Sequence, residues 1–365
     1  MGYTNNLEAQ LTPLAETASK LTYQLFQQSK LYFGVAHKTL ASRLTHLFVT
    51  KSGRETQTLA PEILLEVQQR LNKILETDWE DAQRGIYPHS LLFANDWDSF
   101  FRRYPDLWLD LPEIWQRLND KKYQEFDSTI DREGYPSYYL QNFHHQTNGY
   151  LSEQSAHLYD LQVDIIFNGA ADAMRRRILA PLQQAIKSGF DLAPRQVKIL
   201  DVACATGRTL QTLRTTFPQA SLFGVDISPT YLRKANQVLS DNPGELPQLI
   251  QANAEELPYQ DNYFHGVSSV FLFHELPGEA RQNVINECFR VTKPGGIFVI
   301  CDSIQVIDDP QFKPMLENFP ILYHEPYYRD YISDDLTLRL QKAGFTNITI
   351  EHHFMSKYWI AHKIV

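Results

Sequence analysis

The chain has 365 residues, 43% hydrophobic and 21% charged, with a net charge of -9 and a pI near 5.7. It is long enough for a sizeable core and two domains, and too acidic for a general nucleic-acid binder. No apolar run approaches the roughly 20 residues of a membrane span, so no transmembrane segment is expected.

Leu7, Leu11, Leu14, Ala18, Leu21 and Leu25 recur at three-to-four spacing and predict an amphipathic helix over 7–31. A second helix is expected over 38–49, then a polar loop over 51–58 that contains Gly53. Pro61 opens a third helix, to about Asp81, with Ile63, Leu64, Val67, Leu71, Ile74 and Leu75 inward; Gly85 and Pro88 end it. Residues 91–120 carry Phe93, Trp97, Phe100, Phe101, Tyr104, Trp108 and Trp115, an aromatic stripe that reads as core. Residues 1–130 therefore predict an all-helical domain with no chemistry of its own. Residues 131–365 form the second domain, with leading elements over 131–190 and the core over 191–365.

Gly134 to Ser152 is rich in aromatics, histidines and amides and poor in aliphatics, which predicts a lid rather than a strand or core helix. Ser152 is placed to cap a helix from Glu153 to about Phe167. Asn168-Gly169 breaks it, and helix resumes over 170–187. Arg175, Arg176 and Arg177 in that helix read as a solvated face, although three successive residues span about 200 degrees and one can point inward.

Residues 197–228 read as strand, tight turn, helix and strand. Val197, Ile199, Leu200 and Val202 form an apolar run interrupted by Asp201. Ala203, Ala205 and Gly207 let the backbone turn sharply and approach a ligand. Pro218 stops the following helix, and Asp226 stands at the end of the second strand, where ligands bind in open parallel sheets. The letters after the first strand, A-C-A-T-G-R, miss the G-x-G-x-x-G of a dinucleotide site. Residues 348–354 and 358–364 alternate like two edge strands of a hairpin. Cys204, Cys288 and Cys301 form no C-x-x-C pair, so neither a disulfide framework nor a metal site is expected. The start, MGYTNNLEAQ, lacks the basic and apolar regions of a signal peptide, and a reducing cytoplasm is expected.

Asp201, Ala203, Ala205 and Gly207 resemble motif I of the class I S-adenosylmethionine-dependent methyltransferases, D-x-G-x-G-x-G. The resemblance continues at Asp226, at Gln251 to Pro258, at Phe271 to Leu276, at Arg290 to Gly296 and at Gly344-Phe345. It covers about half the chain, 197–364. It implies an α/β fold: a Rossmann-like seven-stranded sheet, mostly parallel with an antiparallel last strand. It further implies S-adenosyl-L-methionine as cofactor and S-adenosyl-L-homocysteine as product. Asp201, Ala203, Ala205, Gly207, Asp226, Ile227, Asn253, Ala254 and Ser269 would then bind the cofactor, with Asp226 on the ribose hydroxyls and Asn253 at the adenine. Alanine at Ala203 is familiar in the ubiquinone/menaquinone C-methyltransferase group. Alanine at Ala205 is less usual, because a positive φ strains a residue with a Cβ.

Methyl transfer from a sulfonium needs positioning and dryness more than a catalytic signature. Candidate proton acceptors are His274 and Glu275 after the fourth strand and His144 and His145 in the lid. Tyr139, Tyr150, Phe271 and Tyr327 are expected to line the pocket of a small organic, aromatic or phenolic acceptor. Two other readings stay open: a protein side-chain methyltransferase docking its substrate on the helical domain, and a catalytically silent cofactor-binding scaffold. Ser269-Val270-Phe271-Leu272 stands where amide- and adenine-methylating families carry N-P-P-Y or D-P-P-Y, which disfavours that chemistry. Nothing in the sequence sets the oligomeric state.

Overall fold

A computed structural model describes residues 3–49, 56–94, 97–241 and 244–364. Three helices lead the chain: α1 (Tyr3–Phe48), α2 (Pro61–Gln83) and α3 (Trp97–Asp120). Most of the loop expected over 51–58 lies outside the described residues. The helix expected over 38–49 is not separate: α1 runs through it unbroken. Gly34 is where α1 approaches the later helix α4 (Glu153–Ile166), since a Cβ there would stand 3.4 Å from the Ile165 carbonyl.

Leu7, Leu11 and Leu14 of the expected stripe lie outside the described side chains; from residue 16 on, the buried face of α1 differs from the one the leucine spacing suggests. Leu21 and Leu25 are more than half exposed, while Tyr23, Gln27 and Lys30 are buried. The polar face turns inward because it has partners there. The Tyr23 hydroxyl donates to Asp78 at 2.6 Å, and the Lys30 ammonium lies 3.1 Å from Asp164. On α2, Ile63, Leu71 and Ile74 are buried as expected, but Leu64 is exposed. The aromatic stripe packs on α1, with Phe33 against Phe100 and Tyr104 and Phe48 stacked on Trp115. Phe101 is left exposed.

Ser152 caps α4 by accepting from the Ser155 amide at 3.0 Å. The helix expected over 170–187 is split into α5 (Ala171–Arg176) and α6 (Leu179–Gly189). The arginine run at the break is buried throughout, not solvated. Arg176 makes a two-pronged pair with Asp78 on α2, Nε to Oδ1 and Nη2 to Oδ2, both at 2.7 Å. Tyr23 and Tyr87 complete the coordination of the Asp78 carboxylate, and Arg176 also donates to the Leu91 carbonyl. Burial alone would raise the Asp78 pKa, but Arg176 and the two phenols outweigh it and hold the carboxyl below its usual range. Arg177 pairs with Asp81, and Arg175 with Asp172.

The sheet then follows: β1 (Lys198–Val202), α7 (Arg208–Thr216), β2 (Ser221–Asp226), α8 (Pro229–Ser240), β3 (Gln248–Gln251), β4 (Phe264–Val270), α9 (Gly278–Val291) and β5 (Thr292–Ser303). Helices α10 (Lys313–Tyr323), α11 (Tyr328–Tyr331) and α12 (Leu336–Ala343) precede β6 (Thr346–His353) and β7 (Ser356–His362). The strand order is β3-β2-β1-β4-β5-β7-β6, parallel through β5, with β7 antiparallel to both of its neighbours. This is the expected Rossmann-like sheet, with one correction. The final hairpin does not supply two edge strands: β7 inserts between β5 and β6 and is buried almost throughout. Strands β1, β4 and most of β5 are also buried on both faces, which requires cover on both sides. One apolar core runs from Tyr23, Trp79 and Leu92 in the helical region to Trp359 and Ala361 in the last strand.

The Asp78–Arg176 pair predicts a large, site-specific stability effect. Asp78→Asn should destabilise the fold by about 3–5 kcal/mol, because it leaves a buried guanidinium without its counter-charge. Lys20→Ala breaks only the exposed pair with Glu76 and should cost no more than about 1 kcal/mol. Denaturant unfolding of the two variants measures the contrast.

Candidate active site

The turn after β1 carries the strain that the sequence suggested. Ala203 has φ 58° and Ala205 φ 46°, both left-handed, and Gly207 at φ 82° leads into α7. Asp226 holds this turn. Its Oδ2 accepts from the Ala205 amide at 2.9 Å and its Oδ1 from the Ser228 amide at 2.8 Å. Burial raises its pKa to about 6, even though these backbone donors favour the charged form. Each oxygen still has a free lone pair for a further donor.

A cavity opens beside Asp226, with an empty volume of about 790 Å³ including its mouth. Of the residues expected to bind the cofactor, Ala203, Ala205, Asp226, Ile227, Asn253 and Ala254 line it. Asp201, Gly207 and Ser269 do not. Asp201 lies buried behind the turn, accepts from the Ser268 hydroxyl at 2.8 Å, and is raised by burial to about 7. Gly207 is turned towards Ala235 and Leu239 of α8. Ser269 is buried with no hydrogen-bond partner for its hydroxyl. The Asn253 side-chain Oδ1 accepts from the Glu255 amide at 3.0 Å and keeps one lone pair.

The far wall is aromatic. Tyr139, Tyr150 and Phe271 line the cavity as expected, and Tyr138, Phe143, Tyr159 and Tyr231 join them. Tyr327 does not reach it but packs on the same cluster, 6.4 Å from the Tyr138 ring. Tyr159 on α4 and Tyr231 on α8 carry no signal beyond ordinary helical spacing. The lid segment is firmly anchored. Asn142 bonds to both backbone groups of Glu125, and Arg117 donates to the His145 carbonyl and the Thr147 hydroxyl. Phe271 has φ 62°, fixed where its amide donates to the Cys301 carbonyl.

Neither histidine expected to be catalytic lines the cavity. His274 sits behind it, with Nδ1 2.7 Å from Asp302. Burial alone would lower its pKa, but Asp302 outweighs burial and lifts it to about 9, so the ring is an imidazolium at neutral pH and unsuited to accept a proton. Asp302 also accepts from the Phe273 and His274 amides and so shapes the turn after β4. The sequence reading missed it; the available signal was an acid near the end of an apolar strand, as at Asp226. His144 lies with Nε2 3.1 Å from Glu325, and burial and neighbouring histidines hold it down at about 3, a neutral ring. His145 is buried and faces the Leu322 carbonyl instead. Glu275 does line the cavity; it accepts from the Tyr150 hydroxyl at 2.6 Å and is raised by burial to about 7.

Residues 199–296 match the family model of the methyltransferase domain. The chain is 33% identical over 128 residues to a demethylmenaquinone methyltransferase of Geobacillus stearothermophilus, covering 35% of this chain and 50% of that protein. It is 28% identical over 178 residues to a ubiquinone/menaquinone biosynthesis C-methyltransferase of Burkholderia orbicola, covering 48% and 67%. A human N-acetylserotonin methyltransferase in complex with S-adenosylmethionine aligns over 73% of this chain and 70% of that one at 15% identity, with a TM-score of 0.46. Residues 199–296 therefore match a methyltransferase domain, and the strand order and the left-handed turn after β1 agree with the resemblance to class I S-adenosylmethionine-dependent methyltransferases. Among such domains it resembles the ubiquinone/menaquinone C-methyltransferase group. The chain spans half to two thirds of the length of these curated relatives.

Two outcomes follow from the turn. A left-handed alanine costs about 1–2 kcal/mol, and the added freedom of glycine in the unfolded chain returns about 0.4–1. Ala205→Gly should therefore stabilise the protein by roughly 0.5–1 kcal/mol and raise its melting temperature. The second concerns pH. The free protein holds a proton on Asp226 up to about pH 6, whereas hydroxyl donors need the carboxylate. S-adenosylmethionine affinity should therefore fall as pH drops below about 6. In Asp226→Asn, calorimetry should find binding about 2–4 kcal/mol weaker, at roughly 1.5–3 per charge-assisted bond, with this pH dependence gone.

Proposed function

We propose that the protein transfers a methyl group from S-adenosylmethionine to a small organic acceptor with an aromatic or phenolic ring. The observation that carries this reading is one cavity that joins Asp226 and the strained turn to a wall of tyrosines and phenylalanines. The site fits the cofactor, since Asp226 lines the cavity and each of its oxygens accepts only one backbone amide, leaving a lone pair for a ribose hydroxyl. When bound, the cofactor supplies a methyl group activated by a sulfonium. Asp226 would hold the ribose hydroxyls and Asn253 the adenine edge. Asp201, Ala203, Ala205, Gly207, Ile227, Ala254 and Ser269 would shape or support that site. The aromatic wall would favour the positive sulfonium through its ring faces and keep water out.

Tyr139, Tyr150 and Phe271 would contact the acceptor, with Tyr327 behind them. Glu275 is better suited than His274 or His144 to receive a proton, because it lines the cavity with a pKa near neutrality. Relatives named for quinone biosynthesis make ring acceptors the first class to test. We assign residues 131–365 to the methyltransferase domain and 1–130 to a helical cover, supported by the Asp78–Arg176 and Lys30–Asp164 pairs across them. Three free, buried cysteines support a reducing, cytoplasmic setting. Among the described residues no helix is long and apolar enough to cross a membrane.

Incubation with methyl-labelled S-adenosylmethionine and a panel of phenols and hydroxyquinones should give S-adenosylhomocysteine and a singly methylated small product. Tyr150→Phe removes the hydrogen bond to Glu275 and should slow turnover about two- to tenfold, the equivalent of roughly 0.5–1.5 kcal/mol, with cofactor affinity held. Label appearing only on polypeptide would overturn the small-acceptor reading.

A further inference from the structure

Beside the aromatic cavity, three side chains from distant parts of the chain converge. His144 comes from the lid, Glu275 from the turn after β4, and Glu325 from the link between α10 and α11. One ligand atom from each lies within 4.8 Å of the other two. Glu325 is 1% exposed, and neither of its carboxylate oxygens has a hydrogen-bond partner. His144 Nε2 is 3.1 Å from Glu325 and 4.0 Å from Glu275, and its Nδ1 also lacks a partner. Among the described residues, Glu275 and Glu325 form ion pairs only with histidines. His274 is already committed to Asp302. The nearby arginine, Arg281, is engaged by Asp330 and Asp334.

A buried carboxyl group whose two oxygens both lack a hydrogen-bond partner is costly, and native structures provide a partner for such a group. We propose that His144, Glu275 and Glu325 form a binding site for a divalent first-row transition-metal ion. One imidazole nitrogen and two carboxylate oxygens are a mixed donor set. It suits Mn²⁺, Fe²⁺, Co²⁺ or Zn²⁺ better than Mg²⁺ or Ca²⁺, which favour all-oxygen sites. Three protein ligands leave coordination positions open for water or an acceptor oxygen. The ion would tie the lid to the C-terminal segment and give a hydroxyl-bearing acceptor a fixed point next to the methyl donor. That last role rests on the methyltransferase reading; the metal site itself does not, and Glu275 would be a ligand in the metal-loaded protein and the proton acceptor only in the metal-free one.

The test uses full-length protein stripped with a chelator and titrated with Co²⁺, and separately with Mn²⁺. The visible bands of Co²⁺ report an imidazole ligand, and loss of the free-ion paramagnetic resonance signal reports Mn²⁺ binding. About one equivalent should bind. Glu325→Gln and His144→Ala should each weaken binding roughly tenfold or more. S-adenosylmethionine calorimetry on the same samples checks that the fold is intact. Wild-type protein that binds the cofactor but neither ion would overturn the metal site and leave the methyltransferase reading standing. Stabilisation by a small organic ammonium that depends on Glu325, without ion binding, would overturn it too and assign the cluster to a cationic acceptor. Ion binding without cofactor binding would uphold the metal site and count against the methyltransferase reading.

Discussion

The Asp226 carboxylate is the constraint around which the site is built. It stands at the end of β2 and accepts from the Ala205 and Ser228 amides, one on each oxygen. The first bond pins a turn in which two alanines adopt left-handed backbone, a conformation that is costly unless the surroundings impose it. The second fixes the start of α8, where the Ser228 hydroxyl also donates to the Tyr150 carbonyl and accepts from the Tyr231 amide. One acid therefore links the turn, the helix that carries Tyr231 and the lid that carries Tyr150. The same residue is left with lone pairs directed to a cavity between these three parts.

The helical region is fastened to this centre by charge rather than by apolar contact alone. Asp78, Tyr23 and Tyr87 surround Arg176 in a fully buried network, and Lys30 reaches Asp164 on α4. Such a network tolerates no loss of a single partner, since each group left behind would be a buried charge. It also fixes the break between α5 and α6. Arg175 at that break lies over the Phe271 ring at 5.7 Å, which connects the helical cover to the turn after β4. Of the residues that line the cavity, Ala203, Ala205 and Phe271 adopt left-handed backbone.

The strands and the turn after β1 were readable because short apolar runs punctuated by small residues and a terminal acid have few other physical solutions. The Ser152 cap was readable for the same reason, as a local rule with a local partner. What could not be read depends on partners far away in sequence. The arginine run looked solvated because its counter-charges, Asp78 and Asp81, lie almost a hundred residues upstream. The leucine stripe of α1 misled because tyrosine and lysine on the opposite face found buried acids. At the candidate site, the sequence singled out Asp226, Asn253, Tyr139, Tyr150 and Phe271, which line one cavity; it did not single out Tyr159 and Tyr231, and it did not foresee where the histidines lie. The fate of His274 is set by Asp302, and that of His144 by burial beside Glu325, neither visible in their own segments.

The cavity beside Asp226 is proposed as the cofactor site of a methyltransferase. A crystal structure of the protein soaked with S-adenosylhomocysteine tests it most directly. Nucleoside density should appear with the ribose against Asp226, the adenine beside Asn253 and Ala254, and the sulfur facing the wall formed by Tyr150 and Phe271. A well-ordered nucleoside bound elsewhere, with this cavity still filled by its own side chains, would contradict it.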